Sequence, residues 1–417
     1  MESATGRWVS GDDFFDRESE LQVLDARVRT GNHTLLTGQR RMGKTSIVRE
    51  LGRRLKDQGW VFVFTDVEGA TCAEDVIADV AQALHPVRPI ASRVAAGLRW
   101  FTENVEEVSA LEFRMKIRAG LNAGNWRRHG EQLIRDCARH DHSVLLVIDE
   151  LPIFLKRMLD QHDDGAHRVE EFLSWLRGAL QAVDARSPVL IASGSIGLAP
   201  LVQRLGIPDR INHLDPLRLG PWDRHASIAC FERLAASSRH PLRVEAGVAN
   251  AVYEAIGLGI PHHVQSFFAR MWEFTIMQKR DRVTVADVDT VYRTALLGPS
   301  GQNDLVHYQT RLKEGLEDDC YTVAMEILAE TAVRERFTPT ARRCLEQCYA
   351  PVVDDVRSRI AEVLDVLMHD GYIETTTDGF RFPSRLLKDW WSSRFRDHHI
   401  PLDQRLSSAA TVPEATR

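Results

Sequence analysis

Cysteine is sparse in this chain of 417 residues. Six are scattered at Cys72, Cys137, Cys230, Cys320, Cys344 and Cys348 without a C-x-x-C pair, which argues against a disulfide framework. Cys344 and Cys348 stand one helical turn apart, but no second Cys/His pair follows at zinc-like spacing, so both read as core residues. The doublets His262-His263 and His398-His399 also lack ligand-spaced partners and read as ordinary histidines. Long apolar runs are missing as well. Even Val144 to Ile148, as long as any in the chain, is far short of the roughly 20 residues that cross a bilayer. Met1-Glu2-Ser3-Ala4 lacks the basic-then-apolar opening of a secretory leader, so a cytoplasmic protein with no membrane partner is expected. Neither sign of charge dominates: 53 Lys and Arg face 59 Asp and Glu, a net charge of −6. Bulk electrostatics therefore give no reason for the chain to coat nucleic acid, although a local basic patch stays possible. No repeat of solenoid period and no low-complexity tract is present.

What is present is an ordinary core-forming composition, 44% hydrophobic, enough for two to four domains. One stretch names its own chemistry. Gly38-Gln39-Arg40-Arg41-Met42-Gly43-Lys44-Thr45 fits G-x-x-x-x-G-K-S/T, the phosphate-binding P-loop. Its glycines let successive backbone N–H groups turn inward onto phosphate oxygens at the positive end of the helix that follows. Lys44 is expected to reach the β- and γ-phosphates, Thr45 to ligate Mg²⁺, and Ser46 to continue the cradle. The context agrees, because Thr34 to Thr37 reads as a buried strand and Ser46 to Leu51 as the opening of a helix.

A second signal is Ser143-Val144-Leu145-Leu146-Val147-Ile148-Asp149-Glu150, an apolar strand that ends in two carboxylates. At a strand tip, Asp149 can hold Mg²⁺ opposite Thr45, and Glu150 can align and activate water for in-line attack on the γ-phosphate. Further buried strands are expected at Trp60 to Phe64 and Pro188 to Ala192, and a shorter strand around Ile211 to Leu217. Ser193-Gly194-Ser195 follows one of them, where the serines either sense the γ-phosphate or cap the next helix. Leu111 to Ala119 alternates apolar with charged residues and reads as a half-exposed strand; its basic face suits a solvated sheet edge more than a phosphate site. The strand Trp60 to Phe64 intervenes between the loop strand and the Asp-Glu strand. With Glu150, it points to an α/β parallel sheet of the additional-strand, catalytic-glutamate class of P-loop NTPase.

Met1 to Gly11 reads as a loose lead-in, and Phe14 to Leu21 begins an amphipathic helix. From Trp222 to Leu297 the periodicity is helical, with Pro261 well placed in the first turn of the segment Pro261 to Met277. Gly298-Pro299-Ser300-Gly301 reads as a break. Beyond it come helices from about Leu305 to Arg334, Thr340 to Cys348 and Val352 to His369, a hairpin turning at Asp378-Gly379, and a closing helix from Leu386 to Arg394. The expected domains are an ATPase core over 1–220, a helical lid over 221–300, a C-terminal winged helix over 301–396, and a disordered tail over 397–417.

In this order the parts resemble the archaeal-type branch of the STAND and AAA+ ATPases, related to the origin-recognition ATPases. The resemblance runs from Phe14 to about Arg394. It rests on Phe15-Asp16-Arg17-Glu18 with Glu20-Leu21, on Arg40-Arg41-Met42-Gly43-Lys44-Thr45, on Asp149-Glu150, and on the Gly-Ser after the fourth strand. Gly259-x-Pro261-x-x-x-Gln265 and Phe380-Arg381-Phe382 complete it. The resemblance implies a core, lid and winged helix that close over ATP, with Arg17 and Pro261 contacting adenine. It also implies an arginine finger near Arg204 and Arg210, of which Arg210 is taken as the candidate. The family usually has glycine where this chain has Asp16.

The implied function is an ATP- and Mg²⁺-dependent switch whose nucleotide state controls a partner surface or self-assembly, the partner being a separate effector or sensor protein in a prokaryotic stress or defence setting. A homo-oligomer is compatible with it. The alternative is a DNA loader or initiator acting through the winged helix. It is less favoured, since Asp354 to Asp370 carries Arg357 and Arg359 against five carboxylates, although Arg381, Arg385, Lys388, Arg394 and Arg396 form a basic cluster. A third reading is a module that holds nucleotide without turning it over. Arg40 and Arg41, inside the loop, either report nucleotide state to the lid or a neighbouring subunit, or simply solvate the loop.

Overall fold

The computed structural model describes residues 1–96, 105, 107–183, 187–194, 197–237 and 241–409, with side chains described except at 300, 303 and 406–409. The chain divides into two compact units. One comprises Trp8–Gly38 and Gly43–Leu219; the other comprises Met1–Arg7, Gln39–Met42 and Gly220–Arg417.

The first unit is built on a parallel five-stranded sheet: β1 (Thr34–Thr37), β2 (Val61–Asp66), β3 (Val144–Asp149), β4 (Val189–Ser193) and β5 (Asp215–Arg218), in the spatial order β2-β3-β4-β1-β5. β3 and β4 are buried along their whole length. Such burial on both faces is what a continuous Val/Leu/Ile run signals in a parallel sheet. The strand that lies between β1 and β3 is β4. The run Trp60 to Phe64, which intervenes along the chain, forms β2 and lies at the sheet edge beyond β3, because sequence order carries no information about the order of parallel crossovers. The helix after β1, Lys44–Lys56, packs close to β2. A Cβ at Gly52 would come within 2.5 Å of the Phe62 ring, so this position tolerates no side chain.

Residues 111–119 correct the strand expectation: Ala110–Gly120 is a helix. Phe113 and Ile117, spaced i, i+4, are buried against the core, while Leu111 and Met115 are each 60% exposed. Half of the apolar alternation was therefore surface. Ser109 and Glu112 close a reciprocal capping box, a start signal that the alternation masked. The basic residues form ion pairs, Arg114 with Asp79 and Arg118 with Asp75 at 2.5 Å.

The lead-in is not loose. Glu50, 2% exposed, accepts hydrogen bonds from the Gly11 N–H, Arg53 and Arg54, each at 2.8 Å, and Arg54 also pairs with Glu18. Burial pushes the Glu50 carboxyl up, but Arg53, the Gly11 N–H and Arg54 outweigh it and hold it at about 2. Backbone donors of this kind leave no trace in a hydropathy pattern.

The second unit is helical. Its helices Arg224–Ala235, Val248–Ile256, Pro261–Met277 and Val285–Val291 are followed by a π-helical turn, Tyr292–Leu296. Gly298 to Gly301 is not a break: Gly298 is the N-cap of the helix Pro299–Gly315, which includes Gly301. The chain breaks later, at Leu316, before the helix Asp318–Arg334. Pro339–Tyr349, Val356–His369, the hairpin Glu374–Thr376/Gly379–Arg381 and Arg385–Phe395 follow. The expected disordered tail contains the helix Leu402–Ala409; residues 410–417 lie outside the described part. Leu402 is fully buried and its N–H donates to Glu330, which also meets His399 Nε2 at 2.6 Å, while Arg405 pairs with Glu326. His399 thus has partners after all. No described helix is long and apolar enough to cross a membrane.

This unit also contains a group of buried histidines. His262 Nε2 meets the Thr5 carbonyl at 2.7 Å, and His263 Nε2 meets the Tyr308 hydroxyl at 3.3 Å. Burial lowers His262 to about 4, His263 to about 3 and His307 to about 2. The charge of Arg41 adds to the shift in each case, and Arg40 acts on His262 and His307 as well. These rings are therefore neutral in the folded chain.

Two outcomes follow for stability. Ser109→Ala is expected to lower unfolding free energy in urea by about 1 kcal/mol through loss of the cap. A histidine with a lowered folded pKa binds its proton more readily when unfolded, so its contribution is complete above the unfolded value of about 6.5 and is lost as pH falls below it. For His263 that loss amounts to roughly 2 kcal/mol at pH 5. In His263→Phe, urea midpoints at pH 7 and pH 5 should lie closer together than in the parent; equal separation would show that His263 does not carry this linkage.

Candidate functional site

The loop and the two carboxylates meet at the C-terminal ends of the parallel strands. Gly38 leaves β1 with φ 153°, where a Cβ would come within 2.6 Å of the Leu219 carbonyl oxygen. Gly43 has φ 89° with no atom crowding the missing side chain. The first glycine is thus required for space as well as conformation, the second for conformation alone. Lys44, 6% exposed, donates from Nζ to the Gly38 carbonyl at 2.8 Å and closes the loop on itself.

Thr45 Oγ1 donates to Asp149 Oδ2 at 2.8 Å, and Ser193 Oγ donates to the other oxygen, Oδ1, at 2.5 Å. Asp149 is 4% exposed and Ser193 fully buried. Parallel pairing explains the meeting: β3 and β4 run side by side from Leu145↔Val189 to Ile148↔Ala192, and β4 also pairs with β1. Glu150 follows Asp149 in left-handed backbone, φ 57°, as N-cap of the helix Leu151–Gln161. Its side chain therefore departs from the strand's alternation. A Cβ at Gly194 would come within 2.3 Å of Pro152 in that helix, so glycine is required where β4 passes it.

Four of the seven described non-glycine residues with left-handed backbone are Asp16, Arg17, Arg41 and Glu150. The conformation costs of the order of 1 kcal/mol or more per residue and concentrates at working sites. At Asp16, φ 60° accounts for the glycine usual in the resembling family. Arg17, N-cap of the helix Glu18–Arg29, is 7% exposed and pairs with Glu20 at 2.8 Å.

The other expected residues fall out as follows. Ser46 accepts from the Val9 N–H at 3.1 Å, so its hydroxyl tethers the lead-in. Gln39, Arg40, Arg41 and Met42 belong to the second compact unit; Met42 is buried, and a Cβ at Gly371, φ 75°, would come within 2.8 Å of Gln39 Oε1. Pro261 is the first residue of its helix and is buried. Arg210 is held by Glu170 at 2.8 Å and by Asp209 at 2.9 Å. Ser195 lies outside the described residues.

Ser193, expected from sequence either to sense the γ-phosphate or to cap the next helix, donates instead to Asp149. One further side chain beside the site was not singled out from sequence. Arg49 lies 3.9 Å from the Phe64 ring centroid and 4.2 Å from that of Trp8; burial lowers its pKa, with Asp149 and Asp66 opposing. Nothing in its helical position marked it.

The residues suit a nucleotide with Mg²⁺. Among the described residues no cluster of three or more His, Cys, Asp or Glu forms a metal cage. Mg²⁺ instead takes one or two protein oxygens together with phosphate and water, and the Thr45–Asp149 pair is an oxygen donor set of that kind.

Residues 13–191 match the AAA ATPase domain family. Across 94% of this chain and 99% of the other, the structure resembles the Walker-type ATPase of Pyrococcus abyssi, with a TM-score of 0.63 at 15% identity. It also resembles the Aeropyrum pernix ORC2 protein solved in ADPNP and ADP complexes, over 97% of this chain and 98% of that one, with a TM-score of 0.57 at 13% identity. These two likenesses speak for the fold. No curated protein matches the chain. A P-loop running into its helix, an aspartate on the loop threonine and a parallel sheet in the order β2-β3-β4-β1-β5 agree with the match of residues 13–191 to the AAA ATPase domain family.

Proposed function

We propose that the protein is an ATP-hydrolysing molecular switch of the STAND/AAA+ type, in which nucleotide state alters conformation and thereby binding to a separate effector or sensor protein, or self-assembly. The observation that carries the ATPase part is the 2.8 Å hydrogen bond from Thr45 to Asp149, which joins the two motifs across 104 positions of sequence.

In this reading the backbone N–H groups of the loop and the start of the helix Lys44–Lys56 receive the β- and γ-phosphates. Lys44 exchanges the Gly38 carbonyl for phosphate oxygens. Thr45 and Asp149 hold Mg²⁺, with Ser193 fixing the rotation of the aspartate. Bound Mg²⁺ supplies charge neutralisation at the phosphate oxygens. Glu150 accepts the proton of the water that attacks the γ-phosphorus, while the bond from that phosphorus to the β,γ-bridging oxygen breaks and ADP leaves. Arg17 is assigned to the adenine side, as the family resemblance implies, and so is Pro261. Arg210 must release Glu170 and Asp209 before it can serve a neighbouring copy as an arginine finger, so the mechanism does not depend on it. β4, lying between β1 and β3, supports the additional-strand, catalytic-glutamate class.

The switch part rests on the family resemblance that the sequence carries. Within the helical unit, a lid over 221–300 and a winged helix over 301–396 are the proposed subdivision, supported by three helices, a hairpin and a closing helix in succession. The DNA-loader reading is weaker. Arg357 pairs with Glu346, and Arg359 with Glu317 and Glu362; Arg381, Arg385 and Lys388 likewise face carboxylates.

Three variants test the reading. Lys44→Ala should abolish binding of a fluorescent ATP analogue; parent-like affinity would remove the nucleotide assignment. Glu150→Gln should retain that binding while phosphate release falls by about 10²-fold or more, and turnover at the parent rate would show that another group is the base. Gly371→Ala, strained at φ 75° and crowding Gln39, should change nucleotide affinity without touching the phosphate ligands. Unchanged affinity in a folded variant would sever the tip from the switch.

A further inference from the structure

We propose that a cavity between the π-helical turn Tyr292–Leu296 and the helix Arg385–Phe395 binds a small molecule bearing a single oxyanion group, a carboxylate or a phosphate. None of its lining residues belongs to the P-loop or to the Asp149–Glu150 strand. The cavity measures about 390 Å³, within the roughly 300–1,000 Å³ usual for small-ligand sites.

Three features give it the character of a built site. The first is the wall. A π-helical turn is rare and is frequent at functional sites; here it places Tyr292 and Arg293 on the lining, with Leu297 just beyond it. The second is Ser392 on the opposite wall. It is 5% exposed, and its buried Oγ has no hydrogen-bond partner among the described residues. A buried hydroxyl left unsatisfied is destabilising, and a ligand oxygen would relieve that cost.

The third is the distribution of charge. Arg293 is paired with Asp289 at 3.0 Å. Asp389 is already occupied: it accepts from the Tyr292 hydroxyl at 2.9 Å and lies 3.5 Å from Arg385 and 3.6 Å from Lys388. Burial, reinforced by Asp389, raises the Tyr292 phenol, so it stays a donor to that carboxylate. Lys388 has a nearer partner in Glu335 at 2.8 Å, and Arg385, 3.5 Å from Asp389, keeps most of its guanidinium donors unspent. Arg396 lines the cavity with no ion-pair partner among the described residues. These donors suit an oxyanion. The adjacent Asp397 and the balance of three arginines against three aspartates on the lining disfavour a polyanion such as a nucleotide or nucleic acid.

The test uses the full chain carrying Lys44→Ala, so that the P-loop does not compete for the probe. Calorimetric titration with inorganic phosphate and, separately, with acetate should show saturable binding of one probe per chain, the stronger of the two identifying the oxyanion. Adding Arg396→Gln, an exposed position where folding is not at stake, should weaken it about tenfold or more, as expected for a lost hydrogen bond to a charged group. Ser392→Ala should weaken it as well. No saturable heat with either probe, or binding that Arg396→Gln and Ser392→Ala both leave unchanged, would overturn the proposal.

Discussion

Asp149 accepts from Thr45 on one oxygen and from Ser193 on the other, and the arrangement of the sheet unit follows from what that requires. Three strands must end at one level with their C-terminal tips together, which parallel pairing of β1, β3 and β4 provides. A carboxylate that is 4% exposed is tolerable because both oxygens are satisfied by hydroxyl donors. The hydroxyls also fix the side chain's rotation, so the acidic group is preorganised. Full burial of β3 and β4 then removes water from one side of a site whose other side must admit a nucleotide.

Backbone strain is concentrated beside that aspartate. Glu150 turns out of β3 through a left-handed residue and at once becomes the N-cap of a helix, so it leaves the alternation of the strand. A regular strand continuation would have put Glu150 on the opposite face of the sheet. Gly38 and Gly43 do comparable work for the loop, one by making room for the Leu219 carbonyl and the other through conformation alone. The same strained geometry at Asp16 and Arg17 sets the entry of the lead-in helix, and Glu50, held ionised by Arg53, Arg54 and the Gly11 N–H, fastens that lead-in to the P-loop helix.

In the helical unit, polar groups are handled in two ways. Arg357, Arg359, Arg381 and Lys388 are each matched with a carboxylate. Buried histidines stay neutral beside Arg40 and Arg41. Among the matched charges, the cavity beside the π-helical turn stands apart, because Arg396 and the Ser392 hydroxyl there have no partner among the described residues.

The sequence by itself determined the P-loop, the Asp-Glu strand tip, the parallel α/β class and the boundaries of such helices as Pro261–Met277, because each is written locally as a motif, a buried apolar run or a 3.6-residue period. It could not determine which strand lies between β1 and β3, since chain order and sheet order are independent once crossovers are allowed. Nor could it show that Leu111 and Met115 are surface residues of a helix, because alternation and helical spacing coincide over so short a stretch. The contact of Ser193 with Asp149, the place of Arg49 and the partners of His399 became visible only when strands and helices distant in sequence were brought together. Tertiary structure decided these contacts because hydrogen bonds and ion pairs depend on distances between segments, and no local pattern records those.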